Sequence, residues 1–158
     1  MRRHFEGKVV WITGASSGIG AALAEALAWE GARLILSARR RAELEQVAAR
    51  CDNEPFVLPL DLAEPETFPA HVATVLERFG HIDFIFHNGG VSQRALAQET
   101  HLDVDRRIMS INYFGAVALT KAVLPSMVKA KSGHLVVISS VLGKIGTPQR
   151  SAYAASKH

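Results

Sequence analysis

The sequence predicts a doubly wound α/β domain, a parallel sheet held in three α/β/α layers. Short apolar runs rich in Val, Ile and Leu alternate with longer segments of helical spacing along the whole chain. The runs are continuously apolar rather than alternating, which requires burial on both faces of the sheet, and hence helices on each side. Gly31, Gly80 and Gly133 stand just before such runs. There a helix ends and the chain needs a left-handed residue.

The elements follow in order. KVVWIT is the first strand, residues 18–30 the first helix, RLILSA the second strand and residues 40–51 the second helix. FVLPL is the third strand, residues 64–79 the third helix, IDFIFH the fourth strand, residues 103–129 a long fourth helix and HLVVISS the fifth strand. Right-handed crossovers join them into one sheet. A sheet of this type has two three-strand halves, so the second half stops after two strands and HLVVISS is left as an apolar edge. A last helix begins near Ser151 and is too short to be stable without packing. The sequence reads as a single domain over 1–158, incomplete at its C-terminus.

With 158 residues, 48% of them hydrophobic, the chain can bury one sizeable core. Its apolar runs fall far below the ~18 residues of a membrane span, so none is expected. Arg2 and Arg3 are not followed by a long apolar segment, so a secretory signal is not expected either and the reading is cytoplasmic. Cys51 is the one cysteine and is expected to pack at a helix end. The net charge of +3 carries no basic stripe, which argues against nucleic-acid binding. The seven histidines are scattered and no metal site is expected.

Tyr153 and Lys157 lie four residues apart, which puts them on one helix face. An ammonium beside a phenol stabilises the phenolate and equips it as a general acid/base. To titrate near neutrality the phenol must fall from about 10 to about 7, which takes about 4 kcal/mol. Upstream, Thr13 leads into Gly14, Ala15, Ser16, Ser17, Gly18, Ile19 and Gly20, between the first strand and the first helix. Glycines at 14, 18 and 20 allow a tight turn and close approach of a pyrophosphate to backbone N–H groups at the helix N-terminus.

The G-x-x-x-G-x-G spacing of this turn resembles that of the short-chain dehydrogenase/reductase family, whose turn reads T-G-x-x-x-G-I-G. The likeness repeats along the chain. His87-Asn88-Gly89-Gly90 is similar to the family's N-N-A-G, Asn112 in SINYFG to its helix asparagine, and Ser140, thirteen residues before Tyr153, to its serine. Lys157 completes the tetrad. The segments SARR, VLPLDL, NGG-SQR, LTKAVLP and ASKH most resemble the "member 7" branch of dehydrogenase/reductases.

The resemblance implies a Rossmann-like NAD(P)-binding fold and an oxidoreductase interconverting a carbonyl and a secondary alcohol. Tyr153 exchanges the proton with the substrate oxygen, Ser140 holds that oxygen, and Lys157 lowers the tyrosine pKa and binds ribose hydroxyls. Asn112 is a poor helix former at mid-helix, where a local distortion that holds a relay water is its expected purpose. Gly14, Ser16, Ser17, Gly18, Ile19, Gly20, Asn88, Gly89 and Gly90 are expected to line the cofactor, together with Tyr153 and Lys157. Asp61 is expected near the adenine amino group, with Leu62 beside the ring; an N-cap of the next helix is its other reading.

At the end of the second strand, where NAD-preferring folds carry an acidic residue, the chain has Ala38 followed by Arg39 and Arg40. Arginine there pairs with a 2′-phosphate, so NADP(H) is favoured over NAD(H). His87 replaces the family's first Asn, which puts a sheet-stabilising hydrogen bond in question, and is read as structural. A homodimer or homotetramer is implied by the resemblance. The rival reading is a truncated dinucleotide-binding module with little or no turnover. Epimerase, dehydratase and enoyl reductase readings are disfavoured by the glycine spacing, by Ser140 with Asn112, and by the four-residue Tyr–Lys interval.

Overall fold

The computed structural model describes residues 3–158. Strands β1 (Val9–Thr13), β2 (Arg33–Ser37), β3 (Phe56–Val57), β4 (Phe84–His87) and β5 (His134–Val137) form one sheet in the order β3-β2-β1-β4-β5. All neighbouring pairs are parallel. The five strands of the sequence reading are all present, and the doubly wound order is the one expected.

Strand β1 lies at the centre and is wholly buried, as its unbroken apolar run requires. Its residues alternate between two cores. Val9 and Trp11 join Ile35, Ile85, Phe68 and Val75 on the face covered by α3 (Phe68–Phe79) and α5 (Ala116–Ala130). Val10 and Ile12 join Leu34, Leu36, Ala24 and Leu44 on the opposite face, under α1 (Gly18–Trp29) and α2 (Arg41–Ala48). Each fully buried aliphatic side chain contributes about 1.5–3 kcal/mol, so the two cores fix the three-layer order.

Three boundaries differ from the sequence reading. Only Phe56–Val57 pair fully as β3; the chain still tracks β2 through Leu58 N–H to Leu36 O and Leu60 N–H to Ala38 O, both 3.0 Å, and Pro59 between them is tolerated because its nitrogen faces the open edge. The third helix opens with a 3-10 turn, Pro65–Thr67, before α3. The left-handed residue ending α5 is Lys131 (φ 52°), with Gly133 two residues later at φ 147°. Gly80 does cap α3 in the left-handed region, at φ 80°. Cys51 is buried just beyond α2, as expected.

Helix α4 (Leu102–Met109), a π-turn at Ser110–Gly115 and α5 are continuous. Together they make a 29-residue helix that is long and apolar enough, by length and composition, to span a membrane. The long helix read over 103–129 is thus present, and it reaches a length and apolar content that no single apolar run of the sequence has. Leu119, Val123 and Met127 are buried in the core beside α3, the position of a core helix. Strand β5 is an exposed edge, with Leu135 and Val137 open to solvent. Helix α6 (Ser151–Lys157) follows it.

Candidate active site

The C-terminal ends of the parallel strands carry the site, where a doubly wound sheet leaves a crevice. Gly14 (φ 65°) turns the chain out of β1 so closely against the β4 loop that a Cβ there would lie 2.6 Å from Gly89 Cα. A Cβ on Gly20 would run into the Gly14 carbonyl and lie 2.6 Å from Asn88 Nδ2. These two glycines therefore set how near the turn and the β4 loop can come.

Polar bonds hold that approach. Thr13 Oγ1 donates to Phe86 O at 3.1 Å and accepts the N–H groups of Asn88 and Gly89 at 3.1 Å each. Asn88 Nδ2 donates to the carbonyls of Thr13 and Gly14, both at 3.1 Å. Asn88 with Thr13 thus bonds the loop after β4 to the end of β1, while His87 pairs with Val137 of β5. His87 is buried and its Nε2 lies 2.8 Å from Thr120 Oγ1. Burial lowers its pKa to about 4.

A cleft of about 370 Å³ opens over this floor. Gly14, Ser16, Ser17 and Ile19 line its base, Asp61 and Leu62 one wall, and Asn88, Gly89 and Gly90 another. Arg39 and Arg40 stand at its rim. Arg40 pairs with Glu43 at 3.1 Å and Arg41 with Glu45 at 3.6 Å, while Arg39 has no acidic partner among the described residues. The Asp61 carboxylate accepts the Ala63 N–H at 3.0 Å, so it closes a local turn and does not cap α3, whose N-cap is Thr67. Gly18 and Gly20 shape the turn without lining the cleft.

The cleft fits a dinucleotide. At the N-terminus of α1, Ser17 makes no side-chain cap bond and the first turn holds no acidic residue, which leaves N–H groups and the positive end of the helix for an anion.

Helix α6 carries Tyr153 and Lys157 on one face, with Lys157 Nζ 5.9 Å from the Tyr153 ring centroid. The ammonium donates to Ile138 O at 2.9 Å, just past β5. Arg150 brings a second cation, 6.0 Å from the same ring centroid. Ser140 begins a 3-10 turn, Val141–Gly143, and its Oγ accepts the Leu142 N–H at 3.2 Å. Ser139 Oγ donates to Lys157 O at 3.0 Å, which ties the exit of β5 to the end of α6.

Asn112 lies in the π-turn, so the distortion expected of a mid-helix asparagine is there. Its amide accepts the Val91 N–H at 2.8 Å and donates to Val91 O and Ser156 Oγ, both at 2.9 Å. Asn112 and Lys157 line a second cavity of about 500 Å³, shared with His87 and Thr120. Tyr153 and Ser140 stand outside the lining of both cavities. Thr13, Gln93 and Ser156 were not singled out by sequence reasoning as site residues. Thr13 could have been flagged by its place at the end of β1, whereas Gln93 entered the sequence reading only within the NGG-SQR likeness, with no role attached.

A Rossmann-type sheet with this glycine turn and a Tyr–Lys helix beside it defines a NAD(P)-binding oxidoreductase fold. The family profile described as short chain dehydrogenase matches residues 8–158, and the chain belongs to that family. A Drosophila melanogaster protein named "Dehydrogenase/reductase SDR family protein 7-like" is 53% identical over 164 residues, covering 99% of this chain and 50% of that protein. The chain spans about half the length of the curated relatives it matches. Among solved structures, a metagenomic short-chain oxidoreductase in complex with NADP superposes with a TM-score of 0.92 at 32% identity, over 97% of this chain and 71% of that one. NAD+-bound xylitol dehydrogenase superposes with a TM-score of 0.91 at 34% identity, over 98% and 61%.

Proposed function

We propose that the chain forms the cofactor-binding and catalytic part of an NADP(H)-dependent oxidoreductase that interconverts a carbonyl and a secondary alcohol. The observation that carries this reading is the seating of α6: Tyr153 and Lys157 are on one helix face, and Asn112 bonds that helix to the β4 loop lining the glycine-floored cleft. NADP(H), when bound, supplies or accepts the hydride.

The chain's own residues do the rest. Tyr153 gives a proton to the carbonyl oxygen in reduction and takes it back in oxidation. Ser140 holds that oxygen by a hydrogen bond. Lys157 holds a positive charge on the same helix face as the phenol, 5.9 Å from its ring centroid. Gly14, Ser16, Ser17 and Ile19 receive the pyrophosphate, and Arg39 the 2′-phosphate. The substrate is a small carbonyl or alcohol compound, and the assembly a homodimer or homotetramer.

The test is Tyr153→Phe in the full-length protein. It is expected to lower carbonyl reduction by about a hundredfold to ten-thousandfold while NADPH binding, followed by fluorescence, stays within about twofold. Retained turnover in that variant would overturn the mechanism. A second reading, a dinucleotide-binding module with little or no turnover, is favoured by Tyr153 and Ser140 standing outside the lining of both cavities. NADPH binding without reduction by the unsubstituted protein would select it.

A further inference from the structure

We infer that Gln93 is a positioning residue for Tyr153, acting as the missing N-terminal cap of α6. The inference rests on the reading of Tyr153 as the acid/base group. The first N–H groups of a helix have no partner within it, and Arg150, the N-cap residue of α6, makes no side-chain cap bond. Gln93 supplies one from 60 residues away: its Oε1 accepts the Tyr153 N–H at 3.2 Å. Its Nε2 donates to Ser151 Oγ at 3.2 Å, so both ends of the amide are committed to the first turn of α6.

Gln93 is itself held. It is 9% exposed, and its carbonyl accepts from Arg150 Nη1 at 2.8 Å. Arg150 Nη1 also donates to Ser92 Oγ. Ala95 N–H bonds Gln149 O at 3.3 Å and Arg94 Nε bonds Gln149 Oε1 at 3.4 Å. The loop that leaves β4 is therefore clasped to the segment entering α6. That loop also carries Asn88, Gly89 and Gly90, which line the cleft. The wall of the cofactor cleft and the backbone of Tyr153 are thus parts of one hydrogen-bonded unit, and Gln93 fixes where along and around its axis α6 begins. Tyr153 lies in the first turn of α6, so an anchor on that turn sets the reach of the Tyr153 hydroxyl.

The test compares Gln93→Leu, Gln93→Asn and Gln93→Glu in the full-length protein, with Tyr153→Phe alongside. The probes are NADPH oxidation with benzil, an aromatic diketone, and amide hydrogen exchange at Tyr153. Leu removes both bonds and Asn is one methylene too short, so each is expected to lower kcat by about tenfold to a hundredfold with KM and NADPH affinity little changed. Glu keeps the acceptor at full length and is expected to restore most of kcat. Tyr153 amide exchange should be faster by at least about tenfold in the Leu variant and near normal in Glu. Unchanged exchange at Tyr153 in Gln93→Leu overturns the inference, whatever benzil does. So does a normal kcat in Gln93→Leu where Tyr153→Phe is dead, whereas a live Tyr153→Phe overturns the underlying mechanism instead.

Discussion

Asn112 Nδ2 donates to Ser156 Oγ at 2.9 Å, which bonds the π-turn of the long helix to the helix that carries Tyr153 and Lys157. The same amide meets both backbone groups of Val91. One side chain therefore ties together the cofactor-side loop, the long helix and α6. Its position in a π-turn has a physical reason: asparagine competes with the helix backbone for hydrogen bonds, and the widened turn accommodates a side chain committed elsewhere.

Asn112→Ala leaves the Val91 N–H and carbonyl without their partner in a half-buried setting. The expected loss is about 2–4 kcal/mol of unfolding free energy, measured by urea titration. Asn112→Asp, with nearly the same shape, is expected to be destabilising too, because it turns an acceptor toward Val91 O. A loss below about 0.5 kcal/mol in both variants would show that the amide bonds carry no weight.

Arg39 is the rim arginine without an acidic partner among the described residues, whereas Arg40 is held by Glu43. Arg39→Glu is expected to weaken NADPH by about tenfold to a hundredfold and to leave NADH within about threefold, as expected from losing a charge-assisted hydrogen bond to a phosphate. Fluorescence titration with each cofactor measures both. Equal losses would assign Arg39 no part in cofactor choice. Arg40→Glu should have the smaller effect, since its guanidinium is already engaged.

The parts of the molecule that were readable before any coordinates are those where one residue type has one cheap solution. The runs VVWIT and RLIL are buried on both faces because nothing else accommodates unbroken apolar residues, and the glycine turn is legible because a Cβ at Gly14 or Gly20 would strike a neighbouring loop. The distortion at Asn112 was legible for the same reason. The clasp between Ser92–Ala95 and Gln149–Ser151 was not, because its partners are more than 50 residues apart and polar loops have no periodicity. The long helix over 103–129 was legible, because Asp103, Asp105, Arg106 and Arg107 interrupt the apolar run without interrupting the helical spacing; the observed helix spans Leu102–Ala130.

His87 gives the fold a specific acid sensitivity. Burial holds its pKa at about 4 in the native state, against 6.5 for a free histidine. Above about pH 6.5 the imidazole is neutral in both states and the native form pays nothing. As pH falls from 6.5 toward 4, the unfolded chain takes up a proton that the native state does not, so stability declines by up to roughly 3 kcal/mol. Below about 4 both states are protonated and this decline stops. Asp83 acts in a different window. Burial alone would raise its carboxyl, but the Val9 N–H, the bond and charge of Lys8 and the nearby His81 outweigh it and hold it below the ordinary value. Its contribution is therefore present above the unfolded carboxyl range and is lost only as pH falls below about 4. His87→Asn removes the titration between 6.5 and 4 while leaving Asp83 in place. The gap in unfolding free energy between the unsubstituted protein and His87→Asn should shrink by up to roughly 3 kcal/mol from pH 7 to pH 4, measured by denaturant titration at a series of pH values. Parallel profiles across that range would mean that the imidazole gains a proton in the folded protein as easily as in the unfolded chain.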